Sequence, residues 1–294
     1  MSTNAMGLRF VAIGALLVCA AAMRAQPTMS SNASNCAIGS SIRRPRPTPQ
    51  PRPLPPLTVI NTHDSGPRSL RQALADADDG DLIDFAAALH GQTITLTSAE
   101  LVIDKNVTIN GPGPDILAVS RSSNTPFRIV HVMPGHAVTI QGITIIGGGL
   151  GFGDAGGGIL NDHAIVTITS CAVEFNGSAY AGGGMFNDGS NGSANMTIVN
   201  STVSGNASPF GGGIVNDVGD QGTATLTILS SVVNDNVGTG GSPPLNLGGA
   251  GGIGSYGMLT ITNSTISNNS VSNEGGGILS AGTLTITKQH HYWQ

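Results

Sequence analysis

Between Val138 and Thr287 the apolar residues fall in short alternating triplets: Val138-Thr-Ile140, Val166-Thr-Ile168, Met196-Thr-Ile198, Leu226-Thr-Ile228, Leu259-Thr-Ile261 and Leu284-Thr-Ile286. A period of two puts both apolar residues of each triplet on one face of a strand. The triplets recur at roughly 30 residues, a spacing that marks solenoids. Beyond each triplet the parity flips: Ile140 is followed by Ile143 and Ile145, Ile168 by Val173, Ile198 by Val203, Ile228 by Val233 and Ile261 by Ile266. A straight strand would send the two sets to opposite sides, whereas a bend between them returns both to the inside. Each copy therefore predicts a strand, a bend and a second strand. A Gly-Gly-Gly phrase before Ile159, Met185, Ile214 and Ile278, shortened before Ile253, predicts a third short strand. Stacking such coils gives an all-β fold, a parallel β-helix with three short strands per coil.

A polar register runs alongside. Three residues after Val173, Val203, Val233 and Ile266 stand Asn176, Asn206, Asn236 and Asn269, with Gly148 in the first copy. Asparagine tolerates left-handed backbone and bonds to its own turn, and glycine permits the same backbone. One above another, these side chains predict an amide ladder.

The segments before and after read differently. Arg9, the apolar run Phe10 to Ala22 and small residues near Ala25 predict a signal peptide over 1–25. Residues 26–57 are Ser/Asn-rich and then Pro/Arg-rich, the composition of a disordered linker. Residues 58–137 predict an N-terminal cap and the first, irregular coils. Leu70, Ala73, Leu74 and Ala77 lie at helical spacing, with Asp64 or Ser65 to start the helix and Gly80 to end it. Such a helix can cover the apolar end that a first coil exposes. Short strands are expected at 57–60, 82–85, 93–96, 101–103, 107–109, 117–119 and 129–132. The regular repeats fill 138–287, and 288–294, with His290-His291, is an off-pattern tail. That ending predicts a truncated product whose last coil is open to end-to-end self-association.

Composition narrows the function. The 294 residues include 43 glycines, are 10% charged, and carry a net charge of -5. No Lys or Arg occurs from Val138 to Thr287, so the repeat offers no cationic groove to nucleic acid. Beyond the signal no stretch is long and apolar enough to cross a bilayer. Cys36 and Cys171 imply no disulfide framework, and Cys171 reads as a small buried residue. A polysaccharide lyase needs a cationic base, and the repeat supplies none. A glycosidase needs converging carboxylates. Asn161-Asp162, Asn187-Asp188 and Asn216-Asp217 recur after the glycine strand, so Asp162, Asp188 and Asp217 are expected in a column about 5 Å apart per step. Such a column is a candidate for catalysis or for calcium. It is equally what turn chemistry repeated with the coil would produce, and because it follows the period, that structural reading is preferred. Gly148-Gly-Leu-Gly-Phe-Gly-Asp154 occurs once, too few times for a tandem calcium motif. The Asn200-Ser-Thr202 and Asn263-Ser-Thr265 sequons are ordinary in so Asn/Ser/Thr-rich a repeat.

Ser69-Leu-Arg-Gln-Ala73 resembles the motif of the CSLREA-type domains that begin bacterial exported β-helix proteins, with Arg68 in place of the leading Cys and Gln72 in place of Glu. Thr62-His-Asp-Ser-Gly-Pro67, Ile83-Asp-Phe85 and Val107-Thr-Ile-Asn-Gly-Pro-Gly113 extend that likeness. The Gly-Gly-Gly-Ile and Asn-Ser-Thr-Val phrases are similar to the repeats of polymorphic outer-membrane proteins. The resemblance spans about 58–287. It implies a right-handed parallel β-helix on an exported, often surface-attached protein, and no established reaction. The expectation is a non-catalytic exported or cell-surface solenoid for adhesion or structural display, with polysaccharide or cell-surface ligands as partners. The alternative is a glycosidase-like β-helix acting on extracellular polysaccharide.

Overall fold

The computed structural model describes residues 56–240, 249–272 and 276–288. The expected signal peptide, nearly all of the expected linker, and the tail from Gln289 onward lie outside those residues. The described chain is a parallel β-solenoid of about eight turns with very little helix. One sheet has nine strands, from Leu57–Val59 and Asp81–Phe85 through Ile165–Thr169 and Ser193–Val199 to Thr283–Thr287. A seven-stranded sheet runs from Gln92–Leu96 to Thr265–Ser267, and a second one from Leu101–Ile103 to Ile278–Ser280. The short strands expected in the irregular coils are present, Leu101–Ile103 with the bounds expected for it.

A fourth sheet was not expected. Five two-residue strands, Gly149–Leu150, Gly177–Ser178, Ala207–Ser208, Val237–Gly238 and Ser270–Val271, stack just after the asparagine corner. Strands this short have no alternation to read, which is why three strands per coil were inferred from the sequence.

The parity flip puts both flanks inside, as expected. Val166 and Ile168 are buried while Thr167 between them is half-exposed, and Val173 beyond the bend is buried again. Ile198, Val203, Ile228, Val233 and Ile261 follow suit, and Ile266 packs partly buried against the same core. Each such aliphatic side chain removed from water contributes about 1.5–3 kcal/mol, so the core is a column of small stacks. It thins at the last described strand, where Leu284 and Ile286 are 41% and 62% exposed.

The bends use left-handed residues. At the first corner these are Ser170, Asn200, Ser230 and Asn263, with φ of 47 to 51°. The next residue turns inward: Ser201 and Ser231 accept, through Oγ, from the backbone N–H of Cys171 and Ser201, each at 3.1 Å. The two sequons thus place Asn at the left-handed position and Ser in an internal column, a positional logic beyond bulk composition. Cys171 occupies that column as a buried thiol, pushed up to about 11 by burial against opposing backbone hydrogen bonds.

At the second corner the amide ladder forms. Asn176 Nδ2 donates to Asn206 Oδ1 at 3.0 Å, Asn206 to Asn236 at 2.9 Å, and Asn236 to Asn269 at 2.9 Å. Each acceptor oxygen also takes the backbone N–H of the preceding rung, and Gly148 N–H ends the series on Asn176 Oδ1 at 2.9 Å. One expectation is corrected: the left-handed residue is the one before each rung, namely Gly147, Phe175, Gly205, Asp235 and Asn268. The rung is chosen for its inward amide.

The ladder explains the glycine phrase. Gly182 and Gly211 have φ of 59°, where glycine is at ease. A Cβ on Gly183 would lie 2.4 Å from the carbonyl oxygen of Ala207, and one on Gly184 would lie 3.0 Å from the Asn206 amide. The three glycines answer to a turn, a neighbouring coil and a ladder.

The single α-helix among the described residues, Leu70–Asp76, buries Leu70, Ala73 and Leu74. Ser69, not Asp64 or Ser65, caps it: Ser69 Oγ accepts from Gln72 N–H at 3.2 Å, and the helix closes at Ala77, before Gly80. Asp64 is engaged elsewhere, by Arg71 at 2.6 Å and by Ser98 N–H at 3.0 Å. Arg71 also donates to the carbonyls of Glu100 and Ala99, each at 2.7 Å.

Candidate functional site

Sheet register stacks the expected carboxylate column. Asp162 pairs with Asp188 and Asp188 with Asp217 on adjacent strands Ile159–Asp162, Met185–Asp188 and Ile214–Asp217. Two of the three are spent on their own corners. Asp188 Oδ1 accepts from Ser190 N–H at 2.9 Å and Ser190 Oγ at 2.6 Å, and Asp217 Oδ1 accepts from Gly219 N–H at 3.0 Å. These are Asx turns, the structural reading of the column.

The asparagines beside them form a second buried ladder. Asn161 Nδ2 donates to Asn187 Oδ1 at 2.6 Å, Asn187 to Asn216 at 2.7 Å, and Asn216 to Ser255 Oγ at 3.0 Å. Alternation carried the signal: Asn161 stands two after the inward Ile159, Asn187 two after Met185 and Asn216 two after Ile214.

Asp162 breaks the pattern of its column. Its Oδ2 lies 3.4 Å from His131 Nε2, and its Oδ1 is in close contact with His163 Nδ1. The other nitrogen of His131 meets Glu100 Oε1 at 3.1 Å, and the other nitrogen of His163 closely approaches the Ser190 carbonyl. Behind Glu100 sits Arg128, only 7% exposed, with Nε 3.5 Å from Glu100 Oε2, an ion contact and not a hydrogen bond. Arg128 Nη2 reaches Asp154 at 3.9 Å. Sequence reasoning placed the cations away from the repeat, whereas stacking brings Arg128 beside Glu100 and His131, with Asp154 of the repeat within ion-pair reach. It is buried and ion-paired there.

The electrostatics are lopsided. Burial alone would push the Glu100 carboxyl up. The His131 hydrogen bond and the charges of Arg128 and His131 outweigh it, so the acid is held below its ordinary value. His163 is raised, first by its bond to the Ser190 carbonyl and then, against the cost of burial, by Asp162 and Asp188. Ligand atoms of Asp162, His163 and Asp188 all lie within 4.8 Å of one another. The sequence reading named the two aspartates and missed both histidines and Glu100. His131 is an ordinary residue until stacking brings it beside Asp162, and His163, already next to Asp162 in the chain, gains Asp188 from the strand register.

Next along the same face is an external apolar patch. Leu160, Phe186 and Val215 share a row with His131. Phe186 and Val215 are nevertheless buried, covered by Ala181 and Phe210, whose ring meets Tyr180 edge-on at 6.4 Å. Burial raises the Tyr180 hydroxyl, helped by the charge of Asp217. The patch therefore borders the carboxylate column. Among the described residues no helix is long and apolar enough to cross a membrane. Comparison of the chain with protein-family models and with curated proteins finds no match.

Proposed function

We propose that the protein is a non-catalytic, exported β-solenoid that serves adhesion or structural display at or beyond the cell surface. One observation carries this reading: the recurring polar side chains are spent on the coil itself. Asp188 and Asp217 close their own turns, and both asparagine registers are hydrogen-bonded coil to coil. A glycosidase needs a pair of carboxylates poised on substrate and water, and carboxylates holding turns are poor candidates. Export is supported by the composition of residues 1–25, and the family by the Ser69-to-Ala73 phrase. A right-handed winding accords with the usual hand of parallel crossovers. The Leu70–Asp76 helix, with Leu70 and Leu74 buried against the first coils, is proposed as their cap. Polysaccharides and cell-surface ligands remain the proposed partners.

The test is a polysaccharide panel scored for binding and for newly released reducing ends. Binding without cleavage is the expected result. Turnover that disappears in Asp162→Asn would sink the reading in favour of the glycosidase. End-to-end association is proposed through the edge of Thr283–Thr287, which among the described residues has a strand neighbour on one side only. Light scattering of the same preparation should rise more than linearly with concentration; a mass that stays monomeric refutes it.

A further inference from the structure

A functional site in a repeat protein shows itself where the repeat is broken. Along the carboxylate column the break is at Asp162. At the His163 position the next two coils carry Gly189 and Val218. At the His131 position the following coils carry Leu160, Phe186 and Val215. His163 also adopts φ of 54°, a left-handed backbone that few non-glycine residues take and that histidine tolerates better than most. Turn chemistry repeated with the coil accounts for Asp188 and Asp217. It does not account for two imidazoles gathered on one carboxylate.

We propose that Asp162, His163 and Asp188 bind one divalent transition cation of the zinc class. The donor set is one imidazole nitrogen and two carboxylates, with atoms within 4.8 Å of one another. Imidazole with carboxylate suits zinc and its neighbours better than calcium, which takes oxygen alone. The surroundings already orient the donors. The Ser190 carbonyl can only accept, so His163 Nε2 carries a hydrogen toward it and Nδ1 faces the carboxylates. A ring nitrogen beside a carboxylate oxygen needs a proton or a cation between them, and a bound cation would take the proton's place there. Ser190 holds Asp188 as well, through its N–H and its hydroxyl. One residue thus clasps two donors, the kind of outer support that ligating histidines and carboxylates use. The free oxygen of Asp162 is steadied by His131, which Glu100 holds in turn. Asp162 and His163 are each about a quarter exposed, so an ion has access and positions remain open to water or to a ligand group. This goes beyond the display reading and holds whether or not a polysaccharide is bound.

The experiment is equilibrium dialysis of the metal-stripped full chain against zinc chloride, with cobalt(II) absorption spectra reporting nitrogen and oxygen ligation. One saturable equivalent is expected. His163→Gly installs the residue of the next coil at a backbone angle glycine tolerates, and should weaken binding by about tenfold or more. Asp217→Asn, in the same column but outside the donor set, should leave binding unchanged, as should His290→Ala with His291→Ala. Should His163→Gly fail to fold by circular dichroism, Asp188→Asn retains an oxygen for Ser190 and must show the same loss. The proposal is overturned by an absence of saturable zinc or cobalt binding, which leaves a proton as the bridging charge. It is overturned equally by binding that survives both site variants, by loss of binding with the two tail histidines, or by a preference for calcium over zinc.

Discussion

The first coils and the regular repeats are held together in different ways. Up to about residue 137, neighbouring turns are joined largely by side-chain contacts that occur once, the short column Asp84, Asn110 and Gln141 apart. Lys105 donates to the Ala75 carbonyl at 2.9 Å, Asp79 accepts from Asn106 N–H at 2.7 Å, and Arg71 ties Asp64 to the carbonyls of Ala99 and Glu100. Beyond that point amide meets amide on successive turns, from Asn176 to Asn269 and from Asn161 to Asn216. A contact made once fails alone. A ladder rung is donor to one coil and acceptor for another, so its loss is felt on both sides. The repeats thus do without cations because their cohesion runs through neutral amides, whose charge balance needs no partner of opposite sign.

The largest effect that probes this contrast should come from Asn206→Ala. It removes the acceptor of both the Asn176 N–H and Nδ2 groups and a donor to the Val173 carbonyl, all buried. Leaving two buried donors unmade costs about 3–5 kcal/mol, read as a fall in the midpoint of denaturant unfolding. Asn206→Ala combined with Asn236→Ala should cost less than the two singles added, because they share a rung; strict additivity would mean that the ladder is a series of independent bonds. A smaller effect is expected from Gly183→Ala, whose Cβ would stand 2.4 Å from the Ala207 oxygen and 2.6 Å from that of Gly212. Overpacking of this kind costs about 1–3 kcal/mol. Gly177→Ala, with its nearest neighbour at 3.7 Å, should be close to neutral in the same measurement.

The smallest effect belongs to the first coils and depends on pH. Burial would raise the Asp64 carboxyl. Hydrogen bonds from Ser98, Arg71 and Thr97, with the Arg71 charge, instead lower it from 3.8 to about 2. A carboxyl depressed in the folded state adds stability that is fully present above its unfolded value and is lost as pH falls through the folded one. Protease protection of the segment around residues 60–75 should therefore decline between about pH 4 and pH 2, ahead of the repeats. Asp64→Asn should lack that step; an unchanged acid profile would show that the contact does not hold the helix in place.

Much of the architecture was legible because it lay in short-range parity. Ile168 and Val173 disclosed the bend, and the spacing of Asn176, Asn206, Asn236 and Asn269 disclosed the first ladder. What escaped needed knowledge of which coil lies on which. His131 and Asp162 are a full turn apart in the chain, and Glu100 another turn back, so no local pattern joins them. The helix cap was misassigned for a related reason: Asp64 suits a cap by type, but Arg71 and Ser98 compete for its oxygens and leave the role to Ser69. Asn161 is the exception, an inward residue that alternation from Ile159 already specified.

The ladders carry a consequence for how such a molecule changes size. Asn176 and Asn206, 30 residues apart, present interchangeable surfaces to what lies above and below. Excising or duplicating one such span rejoins like with like, so recombination within the gene can alter the molecule's reach in whole steps of about 4.8 Å. A residue inserted within a strand has no such freedom, since it would turn the side chains after it to the other face, whereas the turns absorb extra length: Asn236 and Asn269 pair across 33 residues. For the regular part, copy number is the variable open to inheritance; for the singular contacts of the first coils, identity is.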